Sequence, residues 1–294
     1  LALGIGANTA IFSVISSALL RPLPYRDASR LVFVWSTSDA LRREPLTPGR
    51  LVDFREQMTS LSGFAGISHI PLNLTGTGAP ERISGSSVSS SFFDVLGVPP
   101  LLGDTFHTYA ADDRAVVLSH RLWSTRFGAD PGIVGRTIVL NGTARTVLAV
   151  MPASFDWPTI TATPGNHEGP GLWVPGTSKD IPRMPIDREG DLSANRQSGY
   201  LRAVARLRDG VTSEQARREA ELVAERLARQ YPNDDGGRSA TVVPLREQFV
   251  GHVRKPMMVL LAAVAFVLAI ACANIASLLL GRSAARRREI AIRL

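Results

Sequence analysis

The chain has 294 residues, a formal net charge of +7 and one cysteine, Cys272. A single cysteine excludes an intrachain disulfide, so any folded body outside the cytoplasm must be held together by its core. Lysine occurs only at Lys179 and Lys255. Because Asp180 and Pro256 follow them, the chain has no Walker A loop, which needs Gly-Lys-Ser/Thr.

Residues 1–21 are predicted to be the greater part of a first transmembrane helix. The stretch from Leu1 to Leu20 has no charge and is rich in apolar and small residues, which allow close helix packing in a membrane. Asn8 is a polar group in this segment and is expected to contact another helix. A signal peptide is the alternative, but it would need a basic start and a small-residue cleavage site.

Residues 22–255 are predicted to form a folded body outside the membrane, and its beginning reads as a β-α-β unit. Leu31 to Trp35 is a strand candidate. Thr47 and Pro48 have the pattern of an N-cap followed by proline at the first helical position. Residues 63–68 are predicted to form the second strand of this unit.

A second β-α-β unit closes the body. From Leu201 to Arg208, apolar residues at the odd positions alternate with arginines at the even positions, except for Val204, and a capping box of Thr212 and Gln215 starts the next helix. Pro232 ends that helix, and Ala240 to Leu245 is the returning strand. The two units predict one membrane-proximal lobe, about residues 28–90 and 199–250.

The middle of the body, about residues 91–198, is predicted to be a β-rich lobe inserted into the first. Residues 115–118 form a short apolar run, and residues 122–127 a short helix. Asn141-Gly142 joins two strand candidates over residues 137–150 and is typical of a tight hairpin. Residues 158–198 lack periodicity and are predicted to be a long surface loop. The predicted fold class is therefore α+β, with transmembrane helices flanking a two-lobed domain outside the membrane.

Residues 256–281 are predicted to be a second transmembrane helix. The uncharged run from Met257 to Leu280 is about 24 residues long, enough to cross a bilayer. The arginines that follow mark its cytoplasmic end, which places the body on the far side of the membrane. Asn274 is the polar residue within this predicted span. The basic residues beside the span are expected to contact anionic lipid headgroups rather than nucleic acid.

Short motifs occur in a characteristic order along nearly the whole chain. They are Leu1 to Val14, Arg21-Pro-Leu-Pro-Tyr25, Phe92 to Gly97, Val117 to Trp123, Phe127-Gly128, Gly135 to Gly142, Val150-Met-Pro152 with Phe155, and Arg287 to Arg293. Together they resemble the MacB/FtsX-type ABC transporter permeases, closest to the duplicated orphan permeases. Gly103-Asp104 departs from the family pattern, in which an arginine is frequent after the glycine.

The resemblance implies a multi-pass permease of the bacterial inner membrane with a MacB-like periplasmic core domain. It implies mechanotransmission, with ATP hydrolysis on a separate nucleotide-binding subunit and export of small molecules or peptides as the favoured task. It also implies a homodimer or pseudo-dimer and a periplasmic adaptor as a further partner. The permease itself is then not an enzyme and needs no cofactor.

Residues 282–294 are predicted to start the cytoplasmic coupling segment, which by the resemblance docks on the nucleotide-binding subunit. The alternative is a plain topology anchor held by lipid phosphates, and the two are compatible. The residues expected to make the coupling contacts are Arg286, Arg287, Arg288, Glu289, Ile290, Ile292 and Arg293.

The sequence contains few residue patterns that are typical of catalysis or metal binding. The five histidines are scattered, with no His-Glu-x-x-His pair and no Gly-x-Ser-x-Gly elbow. Trp157 and Trp173 flank the predicted loop and are candidates for a binding surface, although tryptophan is more often a core residue. The alternative function is a membrane-tethered periplasmic binding or sensor module without an ATPase partner, and an anchored hydrolase ranks third.

Overall fold

The computed structural model describes residues 23–76, 78–106, 114–155, 157, 169–176, 179–184 and 191–248, with separate positions between 259 and 277. The chain divides into two compact units. One is Pro24–Leu245, called the body below. The other joins Leu1–Leu23 with Arg246–Leu294.

The described part of the body contains ten strands that form one mixed sheet, with helices packed against it. The strands are β1 (Leu31–Ser38), β2 (Leu61–Thr75), β3 (Glu81–Val88), β4 (Leu102–Gly103), β5 (Ala115–Leu118), β6 (Thr137–Leu140), β7 (Thr143–Val150), β8 (Leu172–Pro175), β9 (Arg202–Leu207) and β10 (Arg238–Pro244). The helices are α1 (Pro48–Gln57), α2 (Phe92–Leu96), α3 (His120–Arg126), α4 (Ser213–Gln230) and α5 (Pro232–Asp235).

The strand order is β10-β1-β9-β2-β3-β8-β5-β7-β4, and β6 pairs with β2 and β7. Each predicted β-α-β unit is present, but its two strands are not neighbours. β9 lies between β1 and β2, while β1 lies between β9 and β10. The units therefore interleave as split β-α-β motifs and share one sheet.

Both predicted helix starts are confirmed by their capping contacts. The Thr47 side chain accepts a hydrogen bond from the backbone N–H of Arg50, and Pro48 is the first residue of α1. Thr212 and Gln215 form the reciprocal capping box at the start of α4. These contacts satisfy backbone N–H groups that have no partner inside the helix.

The predicted hairpin between β6 and β7 is also confirmed. Asn141 and Gly142 have φ values of 50° and 78°. A two-residue turn with both central residues at positive φ matches the twist of the strands that it joins. Asparagine and glycine tolerate this conformation better than other residues.

The prediction that residues 158–198 form one surface loop is wrong at β8. This strand pairs in parallel with β3 and antiparallel with β5, and its Trp173 is only 1% exposed. Because β8 has a sheet neighbour on each side, its first three residues are buried without the polar–apolar alternation that indicates a half-exposed strand.

Two hydrophobic clusters make up most of the core. The first lies where α1 and α4 cover the sheet and includes Val32, Val34 and Phe54. The second lies around β5, β6 and β7 and includes Val116 and Leu140. Strand β2 contributes to both clusters. The boundaries of the two predicted lobes stay a prediction.

The described positions between 259 and 277 are helical. Large apolar side chains are exposed there, at Val259, Phe266, Val267, Leu268 and Ile270. In the part of the chain that the structure describes, no helix combines the length and the apolarity needed to cross a membrane. The predicted first span, residues 1–21, lies outside that part, and the second, residues 256–281, lies within it only at these separate positions.

Candidate functional site

The two ends of the body lie side by side in the sheet. β1, the first strand, pairs antiparallel with β10, the last, over seven residue pairs from Val32–Pro244 to Ser38–Arg238. The chain therefore begins β1 and ends β10 at the same end of one ladder. These are the ends that the sequence connects to the two predicted spans. We call the Val32–Pro244 end of this ladder the junction.

The first strand is central to the sheet rather than an edge. On its other side β1 pairs with β9, with Leu31 opposite Arg206 and Val34 opposite Ala203. Residues Leu31 to Val34 are completely buried. Displacing β1 from the sheet would expose this core and break two ladders, so the junction is held firmly to the body.

The segment before β1 is fastened to α2 and β9. The backbone N–H of Arg26 donates to the carbonyl oxygen of Leu96 at 3.3 Å. Arg206 donates through Nε to the carbonyl oxygen of Val95 at 2.8 Å and through Nη2 to that of Arg26 at 2.7 Å. Gly97 has φ 67°, and a Cβ there would lie 2.7 Å from Cβ of Arg26. Close approach of the two segments therefore requires glycine.

Arg30 makes a second attachment next to the junction. Its Nε and Nη2 donate to the carbonyl oxygen of Leu207 at 3.0 and 2.6 Å. It also forms an ion pair with Asp209, whose side chain is 92% exposed. An exposed pair adds little free energy, so the two bonds to the backbone oxygen are the stronger part of this contact.

At the opposite end of the ladder lies a buried ion network, defined as Arg50, Asp53, Arg196 and Asp235. Asp235 accepts from Arg50 at 2.7 Å and from Arg196 at 3.0 Å. Arg196 also donates to Asp53 at 2.7 Å, and Arg50 to the carbonyl oxygen of Ser239 in β10 at 2.8 Å. The network thus joins α1, the segment around residue 196, α5 and β10.

The Arg50 and Asp235 side chains are fully buried. Burial lowers the pKa of Arg50, and its hydrogen bond and charge interaction with Asp235 oppose that shift. Asp235 is the centre of the network because it is the shared acceptor for two arginines. A buried charge that loses its partner is costly, so the network secures the end of β10 that lies away from the junction.

A cluster of aromatic side chains packs together next to the segment that leads into β1. Tyr25, in the segment before β1, contacts Phe155 and Trp157 with ring centroids 6.2 and 6.1 Å apart. Trp157 and Trp173 are 4% and 1% exposed, so neither forms an exposed binding surface. The aromatic cluster consists of Tyr25, Phe33, Trp35, Phe92, Phe93, Phe106, Phe155, Trp157 and Trp173.

The residues predicted for coupling, Arg286 to Arg293, lie outside the described residues, as do Asn8 and Asn274. Their roles stay predictions. Among the described residues, no group of three or more His, Cys, Asp or Glu side chains could hold a metal ion. His69 lies on β2, whereas His120 is the first residue of α3, so the two histidines belong to different elements of the body.

The junction and the ion network were not predicted from the sequence. Arg50 did carry a signal, because it precedes Phe54 by one helical turn and so shares the apolar face of α1. A charged residue on such a face indicates a buried partner. Nothing local identified that partner as Asp235, which lies 185 residues further along the chain.

Comparisons with known proteins agree with this architecture. A family model for the MacB-like periplasmic core domain matches residues 1–223. A solved domain assigned to a permease protein from Porphyromonas gingivalis is similar at a TM-score of 0.55 and 14% identity, covering 75% of this chain and 93% of that chain. The periplasmic region of MacB from Actinobacillus actinomycetemcomitans is similar at 0.52 and 13% identity, covering 77% and 93%. No curated protein matches the chain significantly.

Proposed function

We propose, from the premise that the chain belongs to the family of MacB-like periplasmic core domains, that it is a permease subunit of an ABC transporter. In this proposal nucleotide hydrolysis occurs on a separate subunit in the cytoplasm. The chain carries the resulting motion through its spans to a periplasmic body and breaks no bond itself. Export of small molecules or peptides is the proposed task.

The observation that carries the proposal is the junction. The chain leaves β10 at Pro244, 12 residues before the predicted second span at position 256, and Val32 pairs with Pro244. A force on either terminal segment is therefore applied to one ladder of seven residue pairs. At about 1 kcal/mol per hydrogen bond, that ladder resists separation, so the two ends move as one piece.

The apolar surface of the second unit supports membrane attachment. Phe266, Val267 and Ile270 are helical and exposed, which is unfavourable in water but favourable in lipid. The arginines from position 282 onward would then lie at the cytoplasmic side. There Glu289 and Ile290 are proposed to dock on the nucleotide-binding subunit.

The coupling proposal is tested with the double variant Glu289→Ala/Ile290→Ala, expressed together with the nucleotide-binding subunit with which the native chain co-purifies. We expect the full complex to insert normally but to lose most of its transport-coupled ATPase activity. The control is Glu225→Ala, an exposed position on α4. Unchanged coupling in the double variant would remove the docking role. Stable isolation without any ATPase subunit would instead favour the binding or sensor module.

The junction is tested separately by a disulfide across it. In a Cys272→Ala background, the pair Val32→Cys/Pro244→Cys replaces two directly opposite residues of an antiparallel ladder. Opposite Cα atoms in such a ladder are about 4.5–5.5 Å apart, within the range of a disulfide. We expect the oxidised complex to keep its coupled ATPase activity, because the ladder stays closed throughout the cycle. Loss of activity that a reductant restores would show that the ladder has to open.

A further inference from the structure

A cavity of about 180 Å³ opens on the face of the sheet that carries the aromatic cluster. Its wall is built where β2, β3 and β9 run together. Arg202 pairs with Ile67, and His69 with Ser86, so all four side chains lie on this face. Trp157 forms another part of the wall.

Arg202 has no counter-ion among the residues that the structure describes. It is partly buried and, within the described residues, has no hydrogen-bond or ion-pair partner. Burial lowers its pKa. Arg206, four residues along the same strand and on the same face, instead donates to two carbonyl oxygens. A partly buried guanidinium that makes no such bonds is unfavourable unless something else supplies the acceptor.

The described surroundings of Arg202 leave its positive charge unbalanced. His69 lies at the same wall and also lacks a described partner. Burial, and then the charge of Arg202, lower the pKa of His69. None of the described residues that line the cavity is an aspartate or a glutamate. The missing acceptor is therefore expected to come from a ligand.

The size of the cavity and the chemistry of its wall restrict that ligand. A guanidinium binds a carboxylate through two parallel hydrogen bonds. An apolar cavity of about 150 Å³ is large enough for benzene, and this one has Trp157 and Ile67 in its wall. We propose that this cavity binds a small organic carboxylate that carries an aromatic or short aliphatic group, with Arg202 holding the carboxylate.

The proposal is tested by calorimetric titration of the full chain in detergent with benzoate. Benzamide has the same shape without the charge, and inorganic phosphate has the charge without the apolar group. We expect benzoate to bind at least about tenfold more tightly than either. Arg202→Met should reduce benzoate binding to the benzamide level. The control Arg226→Met removes an exposed arginine of α4 and should bind benzoate as the native chain does.

Thermal unfolding of the same variants separates a ligand site from a structural role. Because Arg202 makes no described bond within the body, Arg202→Met should keep or raise the Tm in the absence of ligand. A clearly lower Tm would mean that Arg202 holds the fold, and would overturn the proposal. Equal benzoate binding by native chain and Arg202→Met, or phosphate binding as tight as benzoate binding, would overturn it as well. None of these results depends on the transporter assignment.

Discussion

Replacing Asp235 with alanine should be among the most damaging single changes in the body. The Asp235 carboxylate is fully buried and accepts from Arg50 at 2.7 Å and from Arg196 at 3.0 Å. Without it, two arginines face each other at a buried position. Arg50 keeps only its bond to the carbonyl oxygen of Ser239, while Arg196 keeps Asp53.

Removing one partner from a buried ion pair costs about 3–5 kcal/mol. For a domain of about 150–250 residues, each kcal/mol lowers the Tm by about 2–4 °C. The body, Pro24–Leu245, is within this size range. Asp235→Ala should therefore lower the Tm by roughly 6–20 °C. Arg50→Met should cost less, because Asp235 still has Arg196 as a partner.

Thermal unfolding of the full chain, followed by near-ultraviolet circular dichroism, measures these shifts. The matched control is Asp234→Ala, which changes the neighbouring aspartate of the same short helix. We expect the loss of stability to decrease in the order Asp235→Ala, Arg50→Met, Asp234→Ala. If Asp235→Ala lay within about 1 kcal/mol of the control, or if Arg50→Met were the more damaging, the shared-acceptor reasoning would be refuted.

Two further predictions concern backbone space and pH. Gly103→Ala should destabilise the body severely, because the added Cβ would lie 1.9 Å from the carbonyl oxygen of Leu148. In Gly142→Ala the added Cβ meets no atom within 4 Å, so this variant should lose only about 1 kcal/mol of stability, for its positive φ. Urea unfolding of both variants measures the difference, and equal losses of stability would contradict the prediction. Burial and then the Arg202 charge lower the pKa of His69 from its ordinary 6.5, so the unfolded chain takes up this proton first and stability falls as the pH drops below about 6.5. His69→Gln should make that decline shallower in unfolding curves taken between pH 5 and 8, and an unchanged slope would argue against it.

Local signals predicted the elements of the body well. Thr47, Thr212 and the Asn141-Gly142 turn each act through contacts within a few residues, so the sequence around them is sufficient. The same holds for β1, β9 and β10, whose positions were predicted within a few residues.

Local sequence signals could not predict which distant strands pair with one another. The interleaving of the two β-α-β units depends on which strand pairs with which, and β1 pairs with strands more than 150 residues away. The sequence did not indicate β8, because three consecutive buried residues between two neighbouring strands carry no periodic pattern. The cavity beside Arg202 forms only where β2, β3 and β9 lie side by side, and no sequence motif indicates it.

The central claim is that the body lies outside the membrane between two crossings. It is tested most directly by labelling single cysteines with a membrane-impermeant maleimide in spheroplasts. In a Cys272→Ala background, one variant carries Leu222→Cys on the exposed face of α4, and the other carries Ser283→Cys beyond the predicted second span. The account predicts that Leu222→Cys is labelled in intact spheroplasts and Ser283→Cys only after permeabilisation. Labelling of both positions from the same side would contradict it.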